Sequence, residues 1–325
     1  MVGVRRGAVR HRSGAAGGCR IRGRRLVDDD LAVSFLPRSL QALVAATRWS
    51  PARRAIVAAS ERSATGMWAT MACRKRYADD NLFSVLDAID AVVVLGAGWD
   101  TRGCRLARRS DIPVFEVDQP INIKRKQAVL HRVFGTPPPS VHLVAVDFER
   151  DDLMATLAAH GYRHDARTFF IWEGVTQYLT AEAVNATFEQ LRSAATGSRL
   201  DFTYVQRDFI DGVDISAAPS LYRNFRERSQ VWKFGLRPDE IEGFLDGYGW
   251  RLLDQLGPDQ VSDRYVRPTG QPVARCPLPT WNGRFWLKSA RPRAPSARSS
   301  AAAGRSRRPT CRRPGGPPGR CAPDR

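Results

Sequence analysis

Asp118, Asp147 and Glu173 each close a short apolar run, and Gly96-Ala97-Gly98 closes another. If those runs are strands of one parallel sheet, ligands bind beyond their carboxyl ends, and three carboxylates and a glycine turn converge on one rim. A lone acid at a strand end is ordinarily a helix cap or a solvated residue. Four successive endings of this kind describe a binding site. The segment Gly96-Ala97-Gly98-Trp99-Asp100-Thr101 sits between a strand and a helix, the context of a nucleotide-type turn. It has threonine at 101, where the dinucleotide pattern has its third glycine, and no Gly-Lys-Ser/Thr follows. A pyrophosphate on the helix start is therefore disfavoured, and a ligand without phosphates fits better. Asp118, 22 positions after Gly96, is placed to accept both hydroxyls of a ribose. An unphosphorylated ribose beside a phosphate-free turn points to S-adenosyl-L-methionine. NAD, the runner-up, would want the missing glycine.

The elements that must hold these residues follow from hydrophobic period. Ala91–Leu95 is an unbroken apolar run ending in glycine, as a strand buried on both faces should be. Segments 112–118, 141–147, 168–173 and 199–205 repeat the theme, with helix-length spacers at 122–135, 151–161 and 181–195. Alternating strands and helices predict βαβ units and a mostly parallel sheet covered on both faces. Before them, 31–89 reads as two or three amphipathic helices, with starts at Ser39-Leu40 and Ser50-Pro51. After them, Trp250 and the segment Arg284–Lys288 suit a closing antiparallel hairpin.

The motifs carry a resemblance. Val92–Arg102, with its Gly-Ala-Gly-Trp-Asp-Thr-Arg, together with Phe115-Glu116-Val117-Asp118-Gln119-Pro120 and Lys126, resembles the leucine carboxyl methyltransferase-like family, in its actinobacterial S-adenosyl-L-methionine-dependent branch. Val146-Asp147-Phe148 and Trp172–Leu179 match the third and fourth motifs of that family. The match runs from about Arg74 to Val205. It implies an α/β, Rossmann-like class I methyltransferase: a mostly parallel seven-stranded sheet with helices on both faces and an N-terminal helical cap. It implies S-adenosyl-L-methionine as cofactor, with Asp118 on the ribose, Gly96 forming the floor beside the methionine moiety, and Gly98 as a further cofactor-binding residue. Asp147 would accept the adenine amine, and Phe148 would give a backbone or apolar contact. Glu173 would meet the amino-acid end, and Arg74 would grip the methionine carboxylate. Asp100 and Arg102 would pair to shape the loop. The segment 31–70 matches poorly, so a second basic ligand is not assigned, and the acceptor half matches poorly too.

The expected product is an O-methylated carboxyl or hydroxyl on a small-molecule or peptide acceptor, reached by in-line displacement. A carboxylate is ionised at neutral pH and needs no base, whereas a hydroxyl benefits from one. No catalytic residue is assigned and no metal is expected; His160 and His164 have the spacing of a metal pair, but Gly161 interrupts the helix between them. Tyr178 and Tyr204 are candidates for the acceptor site or for the core, and Trp232, Phe234 and Trp281 for a lid or for packing. Asp28-Asp29-Asp30 reads most simply as solvated.

Charge and composition set the boundaries. The 325 residues carry a formal charge of +18, but residues 1–25 hold eight arginines without an acid, and 291–325 hold ten arginines and Asp324. The middle is nearly neutral. Residues 1–27 are expected to be a disordered basic arm and 291–325 a disordered Arg/Pro-rich tail. Between them, 28–290 is the expected methyltransferase domain: a cap at 28–89, a cofactor core at 90–205, and an acceptor-side insertion with closing strands at 206–290. Two alternatives stay open: an RNA-associated methyltransferase or nucleic-acid binder using the basic ends, and a cofactor-binding module without turnover. Nucleic acid is not the expected partner, because the basicity lies outside the predicted fold. No apolar run approaches a membrane span and no secretory core follows the first arginines, so a cytoplasmic location is expected. Six scattered cysteines without a Cys-x-x-Cys pair read as reduced thiols.

Overall fold

The computed structural model describes residues 20–21, 24–63, 66–216, 219–269 and 287–292. Seven strands form one sheet: β1 Ala91–Leu95, β2 Val114–Asp118, β3 Val141–Ala145, β4 Thr168–Trp172, β5 Arg199–Phe202, β6 Trp250–Leu256 and β7 Leu287–Pro292. Their order is β3-β2-β1-β4-β5-β7-β6. The first five pair in parallel, and β7 enters antiparallel between β5 and β6. The chain direction of the sheet therefore reverses only at its far edge, where the closing hairpin was expected.

Every position of β1, β2 and β4 is buried. Alternation along them feeds two separate cores. Val93, Leu95, Phe115, Val117, Phe170 and Trp172 face one, and Val92, Val94, Val114, Phe169 and Ile171 face the other. A strand covered on both faces has no polar side to spare, which is why these segments read as unbroken apolar runs.

The connecting helices are α5 Arg102–Leu106, α6 Pro120–Phe134, α7 Leu153–Ala159 and α8 Ala181–Leu191, preceded by α1 Ala32–Phe35, α2 Arg38–Ala46, α3 Ser50–Ser63 and α4 Met67–Phe83. Their starts follow capping chemistry. Pro120 occupies the first turn of α6. The side chains of Asp152 and Thr180 accept backbone N–H groups at the starts of α7 and α8.

Three expectations change, and burial bears on two pairs that were left open. The arm expected to be disordered to residue 27 carries a two-residue antiparallel pair, Arg20–Ile21 with Arg24–Arg25, and Leu26 is buried beside Cys73, Tyr77 and Leu256. The acidic run is not simply solvated, since Asp29 accepts from Lys75 Nζ and Thr101 Oγ1, both at 2.7 Å. Phe234 joins the main core, and Trp232 forms a smaller one with Val205, Phe209 and Ile210, so both are packed. Tyr204 is fully buried while Tyr178 is exposed at the rim, which splits two residues the sequence treats alike. The tail expected to be disordered from 291 has its first two residues, Arg291 and Pro292, in β7. Residues 1–19, Trp281, the segment 284–286 and the tail from 293 lie outside the described residues, as do Cys19, Cys276, Cys311 and Cys321. Cys73 and Cys104 are both buried. No described helix is long and apolar enough to cross a membrane.

Candidate functional site

β1 ends at Leu95, and the chain turns through Gly96 at φ +74° and Gly98 at φ +38°. Side chains are disfavoured in this left-handed region. Gly96 also lacks room for one, because a Cβ there would lie 2.1 Å from Val175 Cγ2. The turn is tied to the neighbouring strand. Gly96 and Ala97 both donate backbone N–H to the Val117 carbonyl, and Gly98 N–H donates to Asp118 Oδ2 at 2.6 Å. Asp118 Oδ1 accepts from the Gln119 N–H at 2.7 Å and from Asn122 Nδ2 at 2.8 Å. An ionised carboxylate offers about four lone-pair sites. Three are taken here, and the remaining one is on Oδ2, beside the turn.

A sealed ion pair lies under the same turn. Lys126 Nζ stands 2.8 Å from Glu116 Oε2 and donates to the Ala97 carbonyl at 3.3 Å. Both side chains are buried. Burial pushes the Glu116 carboxyl up, against the pull of Lys126.

The tip of β4 meets helix α4 and the start of α5 in an ionic network. Arg74 Nε donates to Glu173 Oε1 at 2.6 Å. Arg102 Nη1 lies 2.8 Å from Glu173 Oε2, although no aligned hydrogen bond reaches that buried oxygen. Arg102, 2% exposed, donates from Nε to Asp79 Oδ1 at 2.6 Å, from Nη1 to Asp100 Oδ2, and from Nη2 to the Lys75 carbonyl at 3.2 Å. Arg105 closes the network on Asp79. Burial by itself would raise the Glu173 carboxyl; Arg102 and then Arg74 outweigh it and hold it below the usual carboxylate range.

Beyond β3, Asp147 is 34% exposed on its side chain and accepts the Glu149 N–H at 3.1 Å. The ring of Phe148 turns inward, 6.1 Å from Trp172, so its side chain belongs to the core.

Gly98 is thus bonded to Asp118 and Gly96 to the neighbouring Val117 carbonyl, and Arg74 and Glu173 form a second, bonded pair. Asp147 and Phe148 follow the third parallel strand. Sequence reasoning missed Asp79, Asn122, Asp29 and Lys75. Asn122 stands in the first turn of α6, four positions after Asp118, and its short amide side chain can reach back to the strand tip. The others are brought in by packing of α4 and the segment before α1, which no local pattern announces.

The described histidines all lie away from this rim. His131 is in the last turn of α6, His142 stacks on Phe115 near the start of β3, His160 follows α7, and His164 meets Tyr162 edge-on. Among the described residues no group of three His, Cys, Asp or Glu could hold a metal ion.

A glycine turn after β1 and acids after β2, β3 and β4 of a sheet closed by an antiparallel strand define a Rossmann-like class I methyltransferase fold. Solved structures agree on the architecture. A "putative methyltransferase" from Thermobifida fusca superposes with a TM-score of 0.54 at 18% identity, covering 81% of this chain and 95% of that one. A protein of the DUF574 family from Streptomyces avermitilis gives 0.52 at 14% identity, covering 74% and 91%. The chain belongs to the leucine carboxyl methyltransferase family, whose family model matches residues 8–192. Among curated relatives, a "Putative S-adenosyl-L-methionine-dependent methyltransferase" of Mycolicibacterium paratuberculosis is 32% identical over 194 residues, covering 56% of this chain and 62% of the relative. One from Streptomyces coelicolor is 32% identical over 179 residues, covering 54% and 60%. The chain thus spans about three fifths of the length of these two relatives.

Proposed function

We propose that the chain is a cytoplasmic S-adenosyl-L-methionine-dependent methyltransferase acting on an oxygen of a small-molecule or peptide acceptor, with a carboxylate as the favoured target. The observation that carries this reading is the pairing of two polar stations on one rim. Asp118 keeps one lone pair open beside the glycine turn, which suits a ribose hydroxyl. Glu173 Oε2 is a buried carboxylate oxygen without an aligned donor, which suits an ammonium, and Arg74 beside it suits a carboxylate. An unphosphorylated nucleoside joined to an amino acid has all three groups. The turn has neither the third glycine nor the lysine that a phosphate chain would call for.

S-adenosyl-L-methionine supplies a methyl group already activated by the sulfonium charge. The protein's share is then alignment and exclusion of water. Gly96 brings bare backbone to the site, Asp118 orients the ribose, and Asp147 with the Phe148 backbone takes the adenine edge. Asn122 joins them as a donor that keeps Asp118 Oδ1 facing α6. None of the described histidines lies at the rim, so an acceptor that arrives ionised fits this site better than one that must lose a proton. Tyr178 is exposed beyond β4, which supports reading it as an acceptor-side residue.

Calorimetry with S-adenosyl-L-methionine, S-adenosylhomocysteine and NAD tests the cofactor. Wild type should bind the first two and not NAD. Asp118→Ala should weaken binding roughly tenfold or more, the scale for hydrogen bonds to a charged group. Transfer of labelled methyl to a panel of carboxylic acids and phenols tests the acceptor. Alkali-labile label marks an ester and supports the carboxylate reading; alkali-stable label marks an ether and moves the assignment to hydroxyl. Tight NAD binding without a response to S-adenosyl-L-methionine would overturn the proposal.

A further inference from the structure

Glu173 has two arginines where one would neutralise it, and the two are held differently. Arg102 is sealed, and its guanidinium is fixed from four directions: Asp79, Asp100, the Lys75 carbonyl and Glu173 itself. These partners come from α4, the glycine-turn loop and the tip of β4, so Arg102 locks three elements at one point. Arg74 reaches the other carboxylate oxygen from a more open position, its side chain 15% exposed. Gly174 next to it leaves that space free, since a Cβ there would sit 3.3 Å from both terminal nitrogens of Arg74.

We propose that Arg102 is the positioning residue for the amino-acid end of the cofactor. It supplies the permanent counter-charge of Glu173, while Arg74 is the exchangeable one. If Arg74 alone neutralised Glu173, drawing it toward a ligand carboxylate would strand a buried anion, which is costly. With Arg102 in place, Arg74 can turn to the ligand carboxylate while Glu173 stays ionised and fixed. The Oε2 atom makes an ionic contact with Arg102 but receives no aligned hydrogen bond, so it retains acceptor capacity for an ammonium N–H. Arg102 itself touches no ligand in this arrangement; it acts through Glu173. An arginine suits the task because its planar fork serves several acceptors at once, which a lysine ammonium of the same charge cannot reproduce.

The inference rests on the cofactor reading above, and the test separates the two. Binding of S-adenosylhomocysteine is compared with that of methylthioadenosine, which keeps the nucleoside and lacks the amino acid. Arg102→Lys preserves the buried charge but cannot span Asp79, Asp100 and Glu173 together. It should lose at least tenfold in S-adenosylhomocysteine affinity and stay within about twofold of wild type for methylthioadenosine. Glu173→Gln, which retains the side-chain shape, should show the same ligand-selective loss, and it serves if Arg102→Lys gives no cooperative unfolding transition. Combining the two substitutions should add little to either alone, because both remove one device. Equal weakening of both ligands in Arg102→Lys marks a merely structural residue and overturns the inference, as does wild-type affinity for S-adenosylhomocysteine in either single variant. A wild-type protein that binds neither S-adenosyl-L-methionine nor S-adenosylhomocysteine overturns the cofactor reading, and this inference with it.

Discussion

The backbone N–H of Gly98 and the Oδ2 atom of Asp118 meet at 2.6 Å, and this bond stitches the tip of β1 to the tip of β2. A hydrogen bond to a charged acceptor is shorter and stronger than a neutral one. The acid proposed to hold the ribose is therefore also what shapes the turn beside it. The two halves of the site are not independent: removing the carboxylate of Asp118 also releases a donor of the turn.

The two glycines of that turn should respond differently to substitution. Both have positive φ, but only Gly96 also lacks space, with Val175 Cγ2 2.1 Å from a built Cβ, against 3.9 Å to the nearest atom at Gly98. Gly98→Ala should cost roughly the 1–2 kcal/mol of the left-handed conformation alone. Gly96→Ala should cost clearly more, with a fall in Tm on the order of 5 °C or beyond. Adding Val175→Ala should restore part of that loss for Gly96→Ala and none for Gly98→Ala. Thermal unfolding of the four proteins checks the order.

The ion pair under the turn makes a second prediction. Lys126→Met leaves Glu116 buried without its cation, a change that costs about 3–5 kcal/mol for such pairs. Adding Glu116→Gln removes the stranded charge and should recover much of that stability. Urea unfolding of the single and double variants measures both numbers. A double variant no more stable than Lys126→Met would show that the Ala97 contact, rather than the charge pair, is what Lys126 supplies.

Asp201, on β5, gives a pH-dependent prediction. It is buried and accepts from Asn81 Nδ2 at 3.1 Å. Burial pushes its carboxyl up to about 8. In the unfolded chain an aspartate titrates near about 4. Between those values the folded state holds one more proton, so this group's contribution to stability is full below pH ~4 and is lost as pH rises toward 8. Asp201→Asn cannot titrate. Its Tm should therefore decline less than that of wild type from pH 5 to pH 8, while the two curves run parallel below pH 4. Parallel curves across the whole range would refute the assignment.

Much of the site could be read from the order of residues. The strands ended where apolar runs met Gly96, Asp118 and Glu173, because a strand buried on both faces must be apolar throughout and can carry polar groups only at its tip. Segment ends were less legible. Residues 146–147 and 203–205 looked like continuations of their strands, yet the ladders stop at Ala145 and Phe202. Val146 and Thr203 each still donate one backbone N–H to the neighbouring strand tip, at the Asp118 and Trp172 carbonyls, without continuing the ladder. Asp29 misled for a related reason. Three adjacent aspartates look solvated in isolation, and only the approach of Lys75 and Thr101 separates the middle one from its neighbours.

By itself, the sequence determined the class of the fold and the identities of the rim acids, because period and motif are local properties that survive without coordinates. It also located the basic charge in the two ends and left the folded middle nearly neutral. Tertiary structure decided which charges meet. Arg74 and Glu173 are 99 positions apart in the chain, and Asp79 and Arg102 are 23 apart, yet each pair is bonded at 2.6 Å. A charged side chain carries no sign in the sequence of whether it will face water or another charge. That choice follows from how α4 meets the tip of β4 and the start of α5, where burial makes an unpaired charge too costly to keep.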